Sequence, residues 1–250
     1  MKQAMTIFQL ETKLYLRDFF SFFFTFAFPT LLLILYGSIY GNEPSDFFGG
    51  RGTIDVSIPA YCAMIIGVTG LMAFPLTLSH YKEHRIYKRF DATPVGKGFI
   101  IWIQIAVNVM MTIAGFIVLL LVGNILYDVT FDGNLFAISF AMLLSIATIF
   151  SIGFFFTAIA RDSKMTNLLC YLSYFIMLFL SGATMPKEMF SDTLLTVSKF
   201  LPLTYVVDLL QGVFTGDLLT DYTVELLLLG AILLSCSIVG AILYRRKNWV

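Results

Sequence analysis

The chain has 250 residues, 58% of them apolar and 13% charged, with 16 basic and 16 acidic side chains. A soluble domain carries about a quarter charged residues and under half apolar ones. The composition therefore excludes a soluble enzyme, a nucleic-acid binder and a secreted domain, and the even charge balance points to no polyanionic partner.

At the N-terminus, Ile7, Leu10 and Leu14 share one helical face with Gln9 and Lys13 opposite. This pattern predicts an interfacial helix over residues 1–18. Six stretches without Asp, Glu, Lys or Arg follow, at 19–40, 56–79, 99–127, 135–160, 165–185 and 226–244. The hydrocarbon core of a bilayer needs roughly 20 apolar residues, so each is long enough to cross it. The expected fold class is an all-α polytopic membrane protein with six transmembrane helices. The first stretch is followed by no small-residue cleavage site, so it is expected to stay as a span rather than leave as a signal peptide.

Between the second and third spans lies a basic loop, Tyr81–Gly98. Lys82–Asp91 can form about two and a half helical turns before Thr93-Pro94 ends them. At its start His80-Tyr81-Lys82-Glu83-His84 matches H-x-x-E-H, an inverted zincin pattern built on the two histidines of the chain. Helical spacing turns both rings one way, with Glu83 as a general base and Glu11, Asp18, Asp91 or Asp162 as the third ligand. The alternative is two polar residues where a span leaves the membrane. In the third span Gln104 and Asn108, four apart, share a face and either line a path or hold helices together. Arg161-Asp162-Ser163-Lys164 reads as a tight turn between spans four and five.

The segment 186–221 is apolar enough over Leu201–Phe214 to suggest a seventh span, but Asp208 sits at its middle. A charge there costs at least ~2.5 kcal/mol. The expected form is an outer re-entrant helical hairpin, with Pro186 and Pro202 at helix starts and Gly212 and Gly216 at an ending. Cys62, Cys170 and Cys236 fall inside apolar stretches and read as small hydrophobes. No repeat or second domain shows, so 1–250 is read as one transmembrane domain.

Six spans bring both termini to one side. Placing that side in the cytoplasm puts 13 basic residues inside against Arg51, Lys187 and Lys199 outside, a strong bias under the positive-inside rule. No phosphate-cradling G-x-x-x-x-G-K-[ST] loop occurs in the sequence. No ionisable residue falls within the six stretches, which disfavours an ion-coupled carrier.

Two segments resemble the ABC-2 type permeases, the membrane subunits of ABC exporters. In the basic loop Glu83 is followed by Lys88-Arg89-Phe90 and then Ala92-Thr93-Pro94-Val95, although Arg85-Ile86 stands where the family carries Gly-Thr. Downstream, Leu180-Ser181-Gly182, Pro186 and Leu201-Pro202-Leu203-Thr204-Tyr205-Val206-Val207-Asp208 resemble the stretch between spans five and six. The resemblance implies a half-transporter in a cell membrane, of bacterial type. Two such chains pair as a homo- or heterodimer, surrounded by membrane lipid. Two copies of a cytoplasmic ABC ATPase subunit would carry the ATP and Mg. The chain itself would hold no cofactor or metal and would not be an enzyme.

By the same resemblance the loop becomes a coupling helix, with Glu83, Arg85, Lys88, Arg89, Phe90, Thr93 and Pro94 contacting the ATPase. The first, second and fifth spans would approach the partner chain. Tyr61, Met64, Thr69, Asn167, Tyr171, Tyr174 and Met177, with Asn108 of the third span, are then the substrate-path candidates. An uncharged interior suits a hydrophobic or amphipathic cargo such as a drug, an antimicrobial peptide or a lipid-like molecule. Two readings of other classes stand beside it: a membrane zinc metalloprotease using His80, Glu83 and His84, and a non-transporting assembly or immunity subunit.

Overall fold

The computed structural model describes residues 2–45, 50–91, 96–130 and 132–246. Thr93 and Pro94 lie outside the described residues. Among these the protein is a bundle of six helices long and apolar enough to cross a membrane, with a bent helix pair folded against them.

Helix α1 (Lys2–Arg17) runs into Asp18, whose carboxylate accepts the Ser21 amide at 3.0 Å and caps α2 (Phe19–Phe22). The first span continues through a π-helical turn, Phe23–Ala27, into α3 (Phe28–Tyr40). The second comprises α4 (Thr53–Gly67), a π-helical turn over Val68–Ala73, and α5 (Phe74–Glu83). Both π turns have one cause. Each ends in Ala and is followed by Phe-Pro, and the Phe28 and Phe74 amides bond five residues back, to Phe23 and Thr69. Pro29 and Pro75 have no N–H, and their rings crowd the carbonyl four residues earlier, so the turn widens.

Short α6 (Ile86–Asp91) precedes the third span, α7 (Gly96–Tyr127); α8 (Leu135–Ile159) and α9 (Ser163–Leu180) form the fourth and fifth. The fifth ends five residues before its expected limit, because Ser181 caps it and Gly182 turns away at φ 88°. Then α10 (Asp192–Ser198) and α11 (Pro202–Phe214) meet at 96°, and α12 (Thr223–Arg246) is the sixth span. Pro202 opens α11 as expected. Pro186 opens only a 3-10 turn, α10 instead starts after Ser191, and Gly212 lies inside α11 rather than ending it.

The second span is the axis of the bundle: 89% of its apolar window is buried, against 22% for the first and 11% for the sixth. It meets α8 at two glycines. With Phe74 bonded to Thr69 and no N–H on Pro75, the Gly70 carbonyl lies against Gly153, where any Cβ would overlap it. Small residues allow such close approach of membrane helices.

At the end opposite α1, Asn42 ties three spans together. Its Oδ1 accepts the Ile54 and Asp55 amides at 3.0 and 3.2 Å, capping α4, and its Nδ2 donates to Asp55 Oδ1 and to the Tyr127 carbonyl. Two-residue strands β1 (Pro44–Ser45) and β2 (Arg51–Gly52) pair antiparallel beside it, Pro44 opposite Gly52. Helix α1 does not turn its apolar Leu10 and Leu14 side to the bundle, but the side it shares with Glu11 and Tyr15. Glu11 and Tyr15 are buried, whereas Leu10 and Leu14 are exposed, because Glu11 finds polar partners inside.

Candidate functional site

The second span leaves the bundle at Glu83. His84 caps α5, and Arg85 takes φ 56°, a left-handed turn that redirects the chain into α6. The continuous helix expected over Lys82–Asp91 is thus broken in two, with Glu83 on the span and Lys88 to Phe90 on α6. Glycine adopts that left-handed conformation freely, and Arg85 stands where the resembling pattern carries Gly.

On α6 the side chains divide sharply. Lys88 and Arg89 are exposed, as are Glu83 and Arg85, and Phe90 is half-buried against the core. Tyr87 turns inward, 6% exposed; its hydroxyl donates to Gln104 Oε1 at 2.8 Å and its ring packs on Tyr81. Gln104 Nε2 in turn donates to Glu11 Oε1 at 3.5 Å, and Tyr81 also hydrogen-bonds that carboxyl. Burial holds the Glu11 carboxyl above its usual range, an effect the Tyr81 and Gln104 bonds partly offset. Burial raises the Tyr87 phenol too, so it stays a donor at working pH. One polar chain therefore joins α6 to α7 and α1.

Glu83 is fixed from another side. Its Oε2 accepts the Ser163 amide at 3.1 Å, where Asp162 starts α9 by accepting the Met165 amide at 2.7 Å. The His80 and His84 rings lie side by side, centroids 4.0 Å apart, with His84 Nδ1 3.0 Å from the His80 carbonyl oxygen. No group of three His, Cys, Asp or Glu side chains able to hold a metal forms among the described residues. Glu83, the general base of the zincin reading, is engaged by the start of α9.

Two cavities flank the middle of the bundle. The inner one, about 400 Å³, lies under α1 and is bordered by Glu11, Asp18, Tyr81, Asn108, Asn167 and Tyr171. The outer one, about 500 Å³, lies between the first two spans and the segment after span five; Tyr36, Tyr40, Tyr61, Lys187 and Asp208 border it. Lys187 pairs there with Asp208, its stem passing over Gly182. The path candidates fall into three sets. Tyr61 borders the outer cavity, and Asn108, Asn167 and Tyr171 the inner one. Met64, Thr69, Tyr174 and Met177 are packed between, with Thr69 and Thr112 hydroxyls 2.8 Å apart and Tyr174 against Phe24 and Gly67. The two cavities share no wall residue, so in this conformation the middle is closed.

One family model, ABC-2 type transporter, matches residues 2–215. The chain belongs to the ABC-2 type transporter family. The ABC-2 match runs from α1 through α11 and takes in the α6 loop and both cavities; only the sixth span lies beyond it. As an ABC-2 chain it is a multi-pass membrane subunit of an ABC transporter, a permease component whose general associates are an ABC ATPase and a second membrane chain. No curated protein matches it in sequence.

Sequence reasoning overlooked Glu11 and Tyr87 as partners of Gln104. The signal for the first was the spacing of Ile7, Glu11 and Tyr15, four apart on one helix face. The π turns were signalled by Ala-Phe-Pro recurring at 27–29 and 73–75.

Proposed function

We propose that this chain is the permease half of an ATP-driven exporter in a bacterial cell membrane, with its termini and α6 in the cytoplasm. Thirteen of its 16 basic residues fall on that side, which supports the orientation. Two such chains, identical or related, pair in the membrane, and two ATPase subunits holding ATP and Mg dock beneath them. The cargo is hydrophobic or amphipathic.

The observation that carries this reading is the two-sidedness of α6. Lys88 and Arg89 face outward for a soluble partner, while Tyr87 is bonded through Gln104 to the third span and on to Glu11 of α1. Closure of an ATPase dimer pressing on α6 shifts those helices together and biases the closed middle toward an open form. Nucleotide achieves this only by binding the two states with different affinity.

Reversing both charges, Lys88→Glu with Arg89→Glu, is expected to abolish stimulation of the ATPase by the membrane chain while the chain still inserts. Full stimulation in that variant refutes the docking assignment. Purification from native membranes is expected to bring down a stoichiometric P-loop protein. Its absence with zinc bound would favour the metalloprotease, and its absence without zinc the assembly or immunity subunit.

A further inference from the structure

The chemistry of the inner cavity is one-sided. Glu11 and Asp18 bring two carboxylates to its wall, and no Lys or Arg borders it among the described residues. Glu11 is 6% exposed, and the partners described for it are neutral, the Gln104 amide and the Tyr81 hydroxyl. Asn108, 4% exposed, donates its Nδ2 to the Gln104 carbonyl at 2.9 Å, which fixes the amide's orientation. That leaves Asn108 Oδ1 as a buried acceptor without a hydrogen-bond partner among the described residues. Three tyrosines, Tyr15, Tyr81 and Tyr171, and the His80 ring also border the cavity, beside neutral amides and hydroxyls.

Two carboxylates and an unpartnered amide oxygen in a wall without Lys or Arg call for a donor that carries positive charge. An anionic group there would face two carboxylates, and a group without donors would leave the Asn108 oxygen unpaired away from water, which is costly. An ammonium supplies N–H donors to Glu11 and Asn108 as charge-assisted bonds, and tyrosine faces accept the cation and its apolar body. A volume of about 400 Å³ suits a drug-sized molecule. The outer cavity repeats the pattern with Tyr36, Tyr40 and Tyr61 around Glu43 and Asp208, where Lys187 already sits on Asp208 as a cation.

We propose that the inner cavity receives the ammonium group of a cationic amphipathic cargo, with Glu11 and Asp18 as counter-charges and Asn108 as a second acceptor. This rests on the exporter reading and narrows its cargo.

The test uses the full chain in nanodiscs of phosphatidylcholine, free of anionic lipid, with dansylcadaverine as the probe and its N-acetyl derivative as the uncharged control. Fluorescence anisotropy is expected to show the amine bound at least about tenfold more tightly than the acetylated form, as one charge-assisted bond requires. Glu11→Gln, of equal size, is expected to erase most of that preference. Equal binding of the two probes to the unaltered chain overturns the proposal, even if Glu11→Gln fails to fold. So does an amine preference that survives Glu11→Gln combined with Asp18→Asn. The measurement needs no ATPase. Lost amine preference with intact ATPase stimulation refutes the cargo class alone, and amine binding by a chain that engages no ATPase supports the site while refuting the exporter reading.

Discussion

Replacing Tyr87 by Phe removes one oxygen from the joint between α6 and the third span. The ring keeps its place beside Tyr81, 5.7 Å between centroids, so packing is retained. What disappears is the 2.8 Å bond to Gln104, a residue only 1% exposed. Leaving a buried acceptor without its donor costs about 1–3 kcal/mol. If that bond carries motion from α6 to α7, the same energy appears as coupling, about five- to 150-fold in the bias between two conformations. The assay is ATP hydrolysis by the partner subunit with and without the membrane chain, read alongside the melting temperature of the purified chain. Tyr87→Phe is expected to lower cargo-stimulated hydrolysis at least about fivefold, with basal hydrolysis unchanged. A variant that melts lower but is stimulated as strongly as the parent would show the bond to be structural only, and the coupling argument would fail.

Three further outcomes follow from the packing. Gly153→Ala places a Cβ on the Gly70 carbonyl and 3.2 Å from Pro75 Cγ; backbone cannot recede, so the second and fourth spans must part at a cost of about 1–3 kcal/mol, visible in thermal melts in detergent. Arg85→Gly is expected to leave the melt unchanged or raised, whereas Arg85→Val, β-branched at φ 56°, loses about 1–2 kcal/mol. Glu11 holds its proton more tightly in the native chain than in the unfolded one, where its value is near 4.5. Its favourable contribution is therefore full below about pH 4.5 and is lost as pH rises through the raised native value. Glu11→Gln lacks that slope, so it should melt above the parent at pH 8 and converge with it in acid.

The spans were legible because charge is scarcely tolerated in hydrocarbon: runs free of Asp, Glu, Lys and Arg had to cross, and Asp208 had to mark a segment that does not. The paired Lys187 explains how Asp208 is accommodated beside the outer cavity, and no rule of local spacing joins residues 21 apart. The break at Arg85 was illegible for a different reason. A left-handed residue is announced by glycine, and here the turn is made by an arginine that local propensity assigns to a continuing helix. Tyr87 and Glu11 were missed because their roles depend on Gln104, which tertiary packing alone brings to both. Met64, Thr69, Tyr174 and Met177 were singled out for residue type, and only the fold shows that they border neither cavity whereas Asn108, Asn167 and Tyr171 do.

The two widened turns give the bundle unequal mechanics along its length. Each falls in the inner half of its span, and they pack against each other. A helix bends where its ladder of backbone bonds is already interrupted, since no further bond must be broken. At the far end Asn42 staples three spans with four hydrogen bonds and leaves them no comparable slack. The first two spans are thus levers with a fixed outer grip and a soft inner elbow. A force applied beneath them swings the inner segments, and the outer rim yields last.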